Sequence, residues 1–216
     1  MHVLLTAGPT YEPLDPVRFL GNRSTGKMGY ALAEAFAEAG ARVTLVSGPS
    51  QLPDPASPLI RTVRVETAAE MFAAAEPVAA EADVWVFAAA VADYRPAQIA
   101  PEKIKKSGDT MTLELVKNVD IAASLGRRKR PEQFAVGFAL ETTNELAHAQ
   151  DKLRRKNFDL VVLNSLRDAG AGFGHDTNQV TVLDAANQFV NFTLQSKADL
   201  ARGLVRLILA RLKATP

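Results

Sequence analysis

The alternation of short apolar runs with helical patterns is the feature that most constrains how this chain folds. Five buried strands are predicted, over Val3–Thr6, Val43–Val46, Val84–Phe87, Gln133–Phe138 and Asp159–Leu163. Four helices are predicted, over Met28–Ala39, Ala68–Ala80, Asn144–Lys156 and Ala198–Leu212. Strands that alternate with helices form a mainly parallel sheet covered on both faces. We therefore expect an α/β fold, a Rossmann-like three-layer α/β/α arrangement with a mainly parallel sheet.

Two segments depart from this alternation. Residues Met111–Val116 alternate in polarity, and Gln179–Leu183 is followed after a polar turn by Phe189–Thr193. These patterns predict a few added strands, near 108–117 and 178–194, with the second pair forming a hairpin at a sheet edge or a small subdomain. The 216 residues fit a single domain, with the proline-rich stretch Pro49–Pro58 as a surface loop.

Composition excludes several classes of protein. The 25 basic and 24 acidic side chains leave a net charge of +1, so no global field attracts nucleic acid or a membrane surface. The chain has no cysteine, which excludes disulfides and thiolate metal sites. No signal-peptide pattern and no membrane-spanning apolar run is present. We expect a cytoplasmic protein without nucleic-acid or membrane partners.

The segment GNRSTGKM, residues 21–28, is close to a phosphate-binding P-loop. A P-loop follows its strand directly and supplies a Ser or Thr hydroxyl to magnesium, whereas here Met28 stands at that position and the strand ends near Thr6. Glycines permit close backbone approach, and a helix start favours anions. We predict a phosphate or carboxylate site formed by Gly21, Asn22, Ser24, Thr25 and Gly26.

A second candidate region, residues 88–111, follows the third strand at the sheet edge where ligands bind in open parallel sheets. Small alanines there admit a planar base, and Asp93 is a candidate metal or hydroxyl partner. The lysine-rich loop that follows is either a cover for a polyphosphate or a solvated surface loop.

Asn118 is predicted to cap a further helix. Lys152 and Lys156, one turn apart, form either a solvated face or an anion clamp, and Phe138 alone is more typical of a core. The dinucleotide fingerprint G-x-G-x-x-G is absent.

The motifs together resemble one family. TAGPTYEPLDPVRFLGNRSTGKMG (6–29), AAVADYRPAQIAPEKIKK (89–106), LVKNVDIA (115–122), VGFALET (136–142) and KNFDLVVLN (156–164) are similar to phosphopantothenoylcysteine synthetase, also called phosphopantothenate–cysteine ligase, of the bacterial CTP-dependent type. The resemblance implies a ligase of coenzyme A biosynthesis that activates the carboxylate of 4'-phosphopantothenate with CTP. The acyl-cytidylate then reacts with L-cysteine, and the reaction releases pyrophosphate and CMP.

The resemblance also implies roles for individual residues. Asn22 and Lys103 match catalytic positions, Asn22 at the acyl adduct and Lys103 on the nucleotide phosphates. Residues Ile104, Lys105, Lys106, Ser107, Gly108 and Asp109 match a flap that excludes water. The nucleotide contacts would be Phe87, Ala88, Ala89, Asp93, Lys103, Val119, Asp120, Ile121, Ala122, Phe138, Lys152 and Lys156. Mg²⁺ or Mn²⁺ would be held mainly by the nucleotide phosphates, with Asp93 as the candidate protein ligand.

Several alternatives remain open at this point. Relatives elsewhere use ATP, and a nucleotide-dependent kinase or a non-catalytic nucleotide-binding module would use the same residue types. A dinucleotide oxidoreductase is less favoured because the glycine fingerprint is missing. The resemblance implies a homodimer and no flavin on this chain. It also implies a phosphopantothenoylcysteine decarboxylase as a fused or separate partner, the chain being a stand-alone ligase or half of a bifunctional protein.

Overall fold

The computed structural model describes residues 1–106, 108–141, 145–165 and 175–214. The strands are β1 His2–Ala7, β2 Tyr11–Pro13, β3 Phe19–Gly21, β4 Arg42–Ser47, β5 Ile60–Arg64, β6 Val84–Phe87, β7 Tyr94–Pro96, β8 Leu115–Lys117, β9 Phe134–Glu141, β10 Leu160–Ser165, β11 Thr177–Asp184 and β12 Phe189–Ser196. The helices are α1 Lys27–Glu38, α2 Ala68–Glu81, α3 Ile121–Gly126, α4 Glu145–Arg155 and α5 Lys197–Ala214.

Eight of these strands form one sheet in the order β12-β11-β10-β9-β6-β1-β4-β5. The six strands from β10 to β5 pair in parallel, whereas β11 and β12 run antiparallel at one edge. Helices cover both faces of this sheet. The predicted α/β fold with a mainly parallel sheet is therefore confirmed.

The core consists of two apolar layers, one on each face of the sheet. Val3 and Leu5 of β1 pack towards α1 and α5, whereas Leu4 packs on the opposite face with α2, α3 and α4. Because strands of such a sheet are buried on both faces, their sequences are continuous apolar runs, as in β1. The strict division of helices between the two faces determines which side chains can meet at the sheet edge.

The strand order reverses between β1 and β6. From β1 the chain passes to β4 and β5 on one side, and then returns to β6 and β9 on the other side. At such a switch point the connections leave in opposite directions and open a crevice beyond the carboxyl ends of the strands, where ligands bind. The chain crosses this edge at Gly8 and Ala88, and Ala90 N–H donates to the Gly8 carbonyl at 2.8 Å.

The added strands differ in part from the predictions. The hairpin is β11–β12, and it extends the sheet beyond β10. The strand predicted over Met111–Val116 is shorter and lies later, since β8 pairs only with β7 over three residues. A second short ribbon, β2–β3, and the edge strand β5 were not predicted. Among the described residues, no helix combines the length and apolar character needed to cross a membrane.

Candidate functional site

A cavity of about 590 Å³ opens at the switch point. Its walls come from the carboxyl ends of β1, β6 and β9, from the start of α1, from the segment before α3, and from α4. Asn164, Asn178 and Lys197 close one end. The volume suits a nucleotide-sized ligand, within the range that small-molecule sites occupy.

The segment 21–28 runs from the end of β3 into the first turn of α1 and lines this cavity. The segment does not have P-loop geometry, because the β2–β3 ribbon lies between it and β1. Gly26 caps α1 with a left-handed φ of 81°, and no side chain hydrogen-bonds to the first turn of the helix. The first turn also contains no acidic residue. The segment therefore brings uncapped backbone N–H groups and the positive end of a helix dipole to the cavity.

Helix α1 lies unusually close to β1. A methyl group on Gly29 would approach Ala7 Cβ at 2.5 Å, well below normal contact distance. Glycine at this position lets the first turn of α1 sit directly against the end of the strand. The predicted anion-binding segment, residues 21–28, is therefore held close to the carboxyl end of β1.

Asn22, a predicted catalytic residue, lies on the exposed rim of this cavity. Its Nδ2 donates to the Ala90 carbonyl at 2.9 Å, which fixes the side chain over the segment that follows β6. Hydrogen bonds with Thr10 and Asn118 hold that same segment, since Ala92 N–H donates to Thr10 Oγ1 and Asn118 Nδ2 donates to Ala92 O. The structure therefore brings the two strongest sequence motifs together at one edge.

Aromatic side chains form the floor. Phe87 packs against Phe158 with ring centroids 5.7 Å apart, and Phe138 is partly exposed in the cavity. The Phe158 ring occupies the space beside Gly137, where any side chain would collide with it. The half-buried Ala88 and Ala89 complete a flat surface that suits a planar base.

The prediction that Asn118 is the N-cap of α3 is wrong. Asp120 is the N-cap of α3, because its Oδ1 accepts from Ala123 N–H at 3.0 Å, whereas Asn118 is committed to Ala92. Lys156 Nζ also bonds to Asp120 at 3.1 Å. Burial alone would raise the pKa of the Asp120 carboxyl, but the Ala123 N–H and the Lys156 charge lower it. Asp120 therefore stays ionised and holds Lys156 at the cavity wall.

Positive charge dominates the lining. The described residues around the cavity include six basic side chains and two acidic ones, namely Lys27, Lys117, Lys152, Arg155, Lys156 and Lys197 against Asp93 and Asp120. Cations that line a low-dielectric crevice produce a local field that attracts anions, although the whole chain has a net charge of only +1. The two predicted lysines, Lys152 and Lys156, both line the cavity and belong to its cationic wall.

Sequence reasoning missed Lys27 and Lys197. Lys27 opens α1 and pairs with Asp176 at 2.6 Å, and Lys197 opens α5 with only 8% of its surface exposed. Burial lowers the pKa of the Lys197 ammonium, and the Lys27 charge lowers it further, while Asp176 raises it. A single lysine at the start of an amphipathic helix gives no sequence signal of this kind.

The structure does not bring Lys103 to the cavity. It lies on the exposed stretch between β7 and β8, outside the lining residues. Of the predicted flap, Lys105, Lys106, Gly108 and Asp109 instead line a smaller cavity of about 470 Å³. Ser107 lies outside the described residues.

Ile104, the first residue of the predicted flap, is anchored. The Asp15 carboxylate accepts from Ile104 N–H at 3.1 Å, and Arg18 donates to the Ile104 carbonyl at 3.0 Å. The two side chains also pair with each other at 2.6 Å, and Asp15 is fully buried. The hydrogen bond from Arg18, with others from backbone N–H groups, holds the pKa of the Asp15 carboxyl well below its usual range against the effect of burial. Any movement of the flap therefore begins after Ile104.

The residues present fit a metal ion only if a ligand supplies most of the oxygen atoms. Asp93 is exposed at the cavity mouth, and Asp120 is occupied with Lys156 and the helix cap. Among the described residues, no group of three or more His, Asp or Glu side chains could hold a metal. This donor set suits a magnesium ion that arrives bound to phosphates.

Together, the switch-point cavity, the glycine-rich helix start and the cationic walls define an α/β protein with a site whose shape and charge suit a phosphorylated, base-bearing ligand. Comparison with known proteins then identifies the family. The DNA/pantothenate metabolism flavoprotein C-terminal domain matches residues 1–212. The chain belongs to this family, and the resemblance to the phosphopantothenoylcysteine synthetase domain is confirmed.

Individual relatives are similar over nearly the whole chain. A cysteine/cysteine sulfinic acid decarboxylase from an unknown prokaryotic organism is 49% identical over 207 residues, which cover 96% of this chain and 57% of that protein. The coenzyme A biosynthesis bifunctional protein CoaBC of Bacillus subtilis (strain 168) is 46% identical, over 99% of this chain and 52% of its own length. The crystal structure of the C-terminal domain of a CoaBC protein is 39% identical, with a TM-score of 0.83 and coverage of 99% and 96%. The chain thus spans about half the length of the curated relatives it matches.

Proposed function

We propose that this chain is a phosphopantothenate–cysteine ligase of coenzyme A biosynthesis. It would form the amide bond between 4'-phosphopantothenate and L-cysteine through an acyl-cytidylate, with release of CMP and pyrophosphate. The observation that carries the proposal is the cationic cleft at the switch point, in which the segment 21–28 faces the segment after β6. Membership of a pantothenate-metabolism family and similarity to bifunctional CoaBC proteins support it.

In the first step, a carboxylate oxygen of phosphopantothenate attacks the α-phosphorus of CTP, and the bond to pyrophosphate breaks. Charge on the phosphates increases in the transition state, so fixed cations lower its energy. Lys152 and Lys156 at the α4 wall and Lys117 before α3 line the cavity and would supply these charges. Magnesium would add positive charge on the triphosphate, held by phosphate oxygens with Asp93 as the candidate protein ligand.

In the second step, the cysteine amine attacks the acyl carbon and CMP leaves. Asn22 is fixed by its bond to Ala90 O at the cavity rim, where an amide can donate to oxygens of the acyl adduct. The floor of Phe87 and Ala88 would hold the base of the nucleotide. Backbone groups and small side chains form most of this base surface. No single charged residue there would therefore select CTP over ATP.

The acyl-cytidylate is a mixed anhydride, and it must be protected from water between the two reaction steps. We propose that the residues after Ile104 close over the site and bring cationic charge to the phosphates. Lys103 lies on the anchored side of Ile104, so it would act only if the loop before the anchor also rearranges on binding.

The proposal includes a homodimer and a decarboxylase partner. The β2–β3 and β7–β8 ribbons contact each other and expose large apolar side chains, among them Phe19, Tyr94 and Leu115. An apolar surface of this kind suits a subunit interface. The relatives named bifunctional are about twice as long as this chain, which supports a phosphopantothenoylcysteine decarboxylase as a fused or separate partner acting on the product.

The experiment is an incubation of the protein with CTP, Mg²⁺, 4'-phosphopantothenate and L-cysteine, with nucleotide products separated by chromatography. CMP and pyrophosphate that form only in the presence of phosphopantothenate would support carboxylate activation, and replacing CTP with ATP gives the nucleotide preference. CDP as product would instead indicate a kinase. CTP binding without any product would indicate a non-catalytic nucleotide-binding module. Incubation with cysteine alone, with CO₂ measured, tests the activity named for the decarboxylase relative.

A further inference from the structure

The short β2–β3 ribbon leads directly into the segment 21–28. Gly21 is the last residue of β3, and Asn22 follows it. Each strand of the ribbon has only three residues, with Tyr11 opposite Gly21 and Glu12 opposite Leu20. A two-stranded ribbon of this length has no stability of its own. The contacts that hold the ribbon therefore determine where Asn22 lies.

Glu12 is the buried side chain of this ribbon. It is 2% exposed, although it carries a carboxylate. Its Oε1 accepts from Ala68 N–H, at the first residue of α2, at 2.9 Å. Tyr11 N–H donates to the Glu66 carbonyl, just before the same helix, at 2.8 Å. These two hydrogen bonds dock β2 on the start of α2.

The bond between Glu12 and Ala68 is directional. A helix start has N–H groups without intrahelical partners and a positive potential, so a carboxylate oxygen forms a strong hydrogen bond there. Burial of a carboxylate also costs free energy, which such a bond offsets only in part. We therefore expect Glu12 to add little net stability. Its main effect is to fix the position of β2 relative to α2.

Gly21 transmits this position to Asn22. A side chain on Gly21 would meet the Thr10 carbonyl oxygen at 2.8 Å and the Tyr11 ring at 2.6 Å, so the backbone of β3 lies directly against β2. The Tyr11 ring also stacks on Phe19, with ring centroids 3.8 Å apart. The two strands are therefore tightly coupled, and a shift of β2 displaces the end of β3.

Thr10 and Asn22 meet at one carbonyl oxygen. Asn22 Nδ2 donates to Ala90 O at 2.9 Å, and Thr10 N–H donates to the same oxygen at 3.3 Å. Thr10, which lies just before β2, is fully buried. Glu12 does not itself line the cavity, so its effect on the chemistry passes through these neighbours. A shift of β2 on α2 would move Asn22 relative to the segment after β6.

We propose that Glu12 is a positioning residue, whose bond to Ala68 holds the ribbon so that Asn22 meets the acyl adduct. This inference rests on the proposed function for the role of Asn22 in the second step. A displacement of about 1 Å in a positioning element reduces a rate by up to about 100-fold. Loss of the Glu12 carboxylate should therefore slow amide formation more than it slows the first step.

The test uses Glu12→Met, which fills similar space without an oxygen acceptor, and Glu12→Gln, which keeps a weaker one. Glu70→Ala is the matched control. The exposed Glu70 carboxylate also accepts from backbone N–H groups at the start of α2, but its partners are Glu66 and Thr67 and not the ribbon.

Three quantities are measured for each variant. Pyrophosphate release without cysteine reports the first step, and CMP release after addition of cysteine reports the second, both in a single turnover. Hydrogen exchange over residues 11–22, followed by mass spectrometry, reports how firmly the ribbon is held. Circular dichroism checks the fold.

We expect Glu12→Met to slow CMP release by about tenfold or more and pyrophosphate release by less than about threefold, with faster exchange over residues 11–22. Glu12→Gln should show the same imbalance to a smaller degree, so the test does not depend on Glu12→Met alone. Glu70→Ala should lose stability through its weaker helix cap but keep the ratio of the two rates.

Equal slowing of both steps by Glu12→Met, the same imbalance in Glu70→Ala, or no slowing at all would overturn the inference. If the unchanged protein forms no amide, the proposed function fails, and hydrogen exchange still decides the structural part. Faster exchange over residues 11–22 in Glu12→Met than in Glu70→Ala would then identify Glu12 as the residue that holds the ribbon. Equal exchange in the two variants would remove it from that role.

Discussion

The close contact between α1 and β1 predicts that Gly29→Ala destabilises the fold and displaces the site. The new Cβ would lie 2.5 Å from Ala7 Cβ and 3.2 Å from Ala7 Cα. Neither group can rotate away, because one is backbone and the other is attached directly to it. Helix α1 must therefore move outward by about 1 Å to restore a contact of about 3.5 Å.

The magnitude follows from two opposing effects. Overpacking of a rigid core costs about 1–3 kcal/mol, whereas alanine in place of a helical glycine gains about 1 kcal/mol. Because the contact is rigid, we take the upper part of the first range and expect a net loss of about 2 kcal/mol in the free energy of unfolding. Urea denaturation monitored by circular dichroism measures this value.

Gly203→Ala in α5 is the matched control. Its Cβ would meet Phe192 Cε1 at 2.8 Å, but this contact is with the end of a half-buried ring that can turn aside. Because alanine gains about 1 kcal/mol over glycine in a helix and turning the ring offsets part of this gain, we expect no loss in the free energy of unfolding and a gain of at most about 1 kcal/mol for that variant. The double variant Ala7→Gly/Gly29→Ala removes the methyl–methyl clash and should recover at least about 1 kcal/mol relative to the sum of the single changes.

The same displacement should affect the chemistry, because the first turn of α1 lines the cavity. A shift of 1 Å in a positioning element reduces turnover by up to about 100-fold, so Gly29→Ala should lose ligase activity while Gly203→Ala retains it. If Gly29→Ala proves as stable as the unchanged protein, or if the Ala7→Gly change gives no recovery, the clash does not limit the approach of α1.

Three further predictions concern the loop and the catalytic candidates. Asp15→Asn should accelerate amide hydrogen exchange at Ile104 and its neighbours, measured by mass spectrometry. Because its folded pKa is depressed, the Asp15 carboxylate stabilises the fold fully above its unfolded pKa of about 4, and this stabilisation declines as pH falls towards the folded value. The variant should lack this acid dependence in unfolding curves between pH 7 and pH 3. Lys103→Gln should abolish pyrophosphate release, and normal release would remove Lys103 from the mechanism. Asn22→Asp should retain pyrophosphate release but fail to form the amide, since a carboxylate cannot donate to the acyl adduct or to Ala90 O; full amide synthesis by this variant would refute the assigned role.

Much of the sheet could be predicted because its strands are buried on both faces. The short, mainly apolar runs in β1, β4 and β6 are typical of strands in a parallel sheet that helices cover on both faces. Edge strand β5 escaped prediction because Arg61 and Arg64 interrupt its apolar pattern where solvent reaches one side. The three-residue ribbons are too short for any period to show, and tertiary contacts such as the buried Glu12 bond to Ala68 N–H hold them in place.

The candidate site was predictable where motif and strand end coincide. The segment 21–28 and the alanines after β6 meet because the start of α1 and the end of β6 both line the cavity at the switch point. Asn118 was misassigned because asparagine and aspartate are both good caps, and only the bond to Ala92 decides between Asn118 and Asp120. Lys197 lies more than 150 residues after Lys27 in the sequence. No local sequence pattern indicates that two residues so far apart line the same site.

The packing of α5 on α1 has a consequence for how the chain folds during synthesis. Helix α1 is synthesised well before its apolar partner α5, because most of the sheet lies between them in the sequence. Until then Leu32 and Phe36 lack part of the surface that buries them in the finished protein. Long-range contacts of this kind slow folding and leave an aggregation-prone intermediate with exposed apolar surface on the ribosome. A variant that lacks α5 should therefore bind chaperones or aggregate.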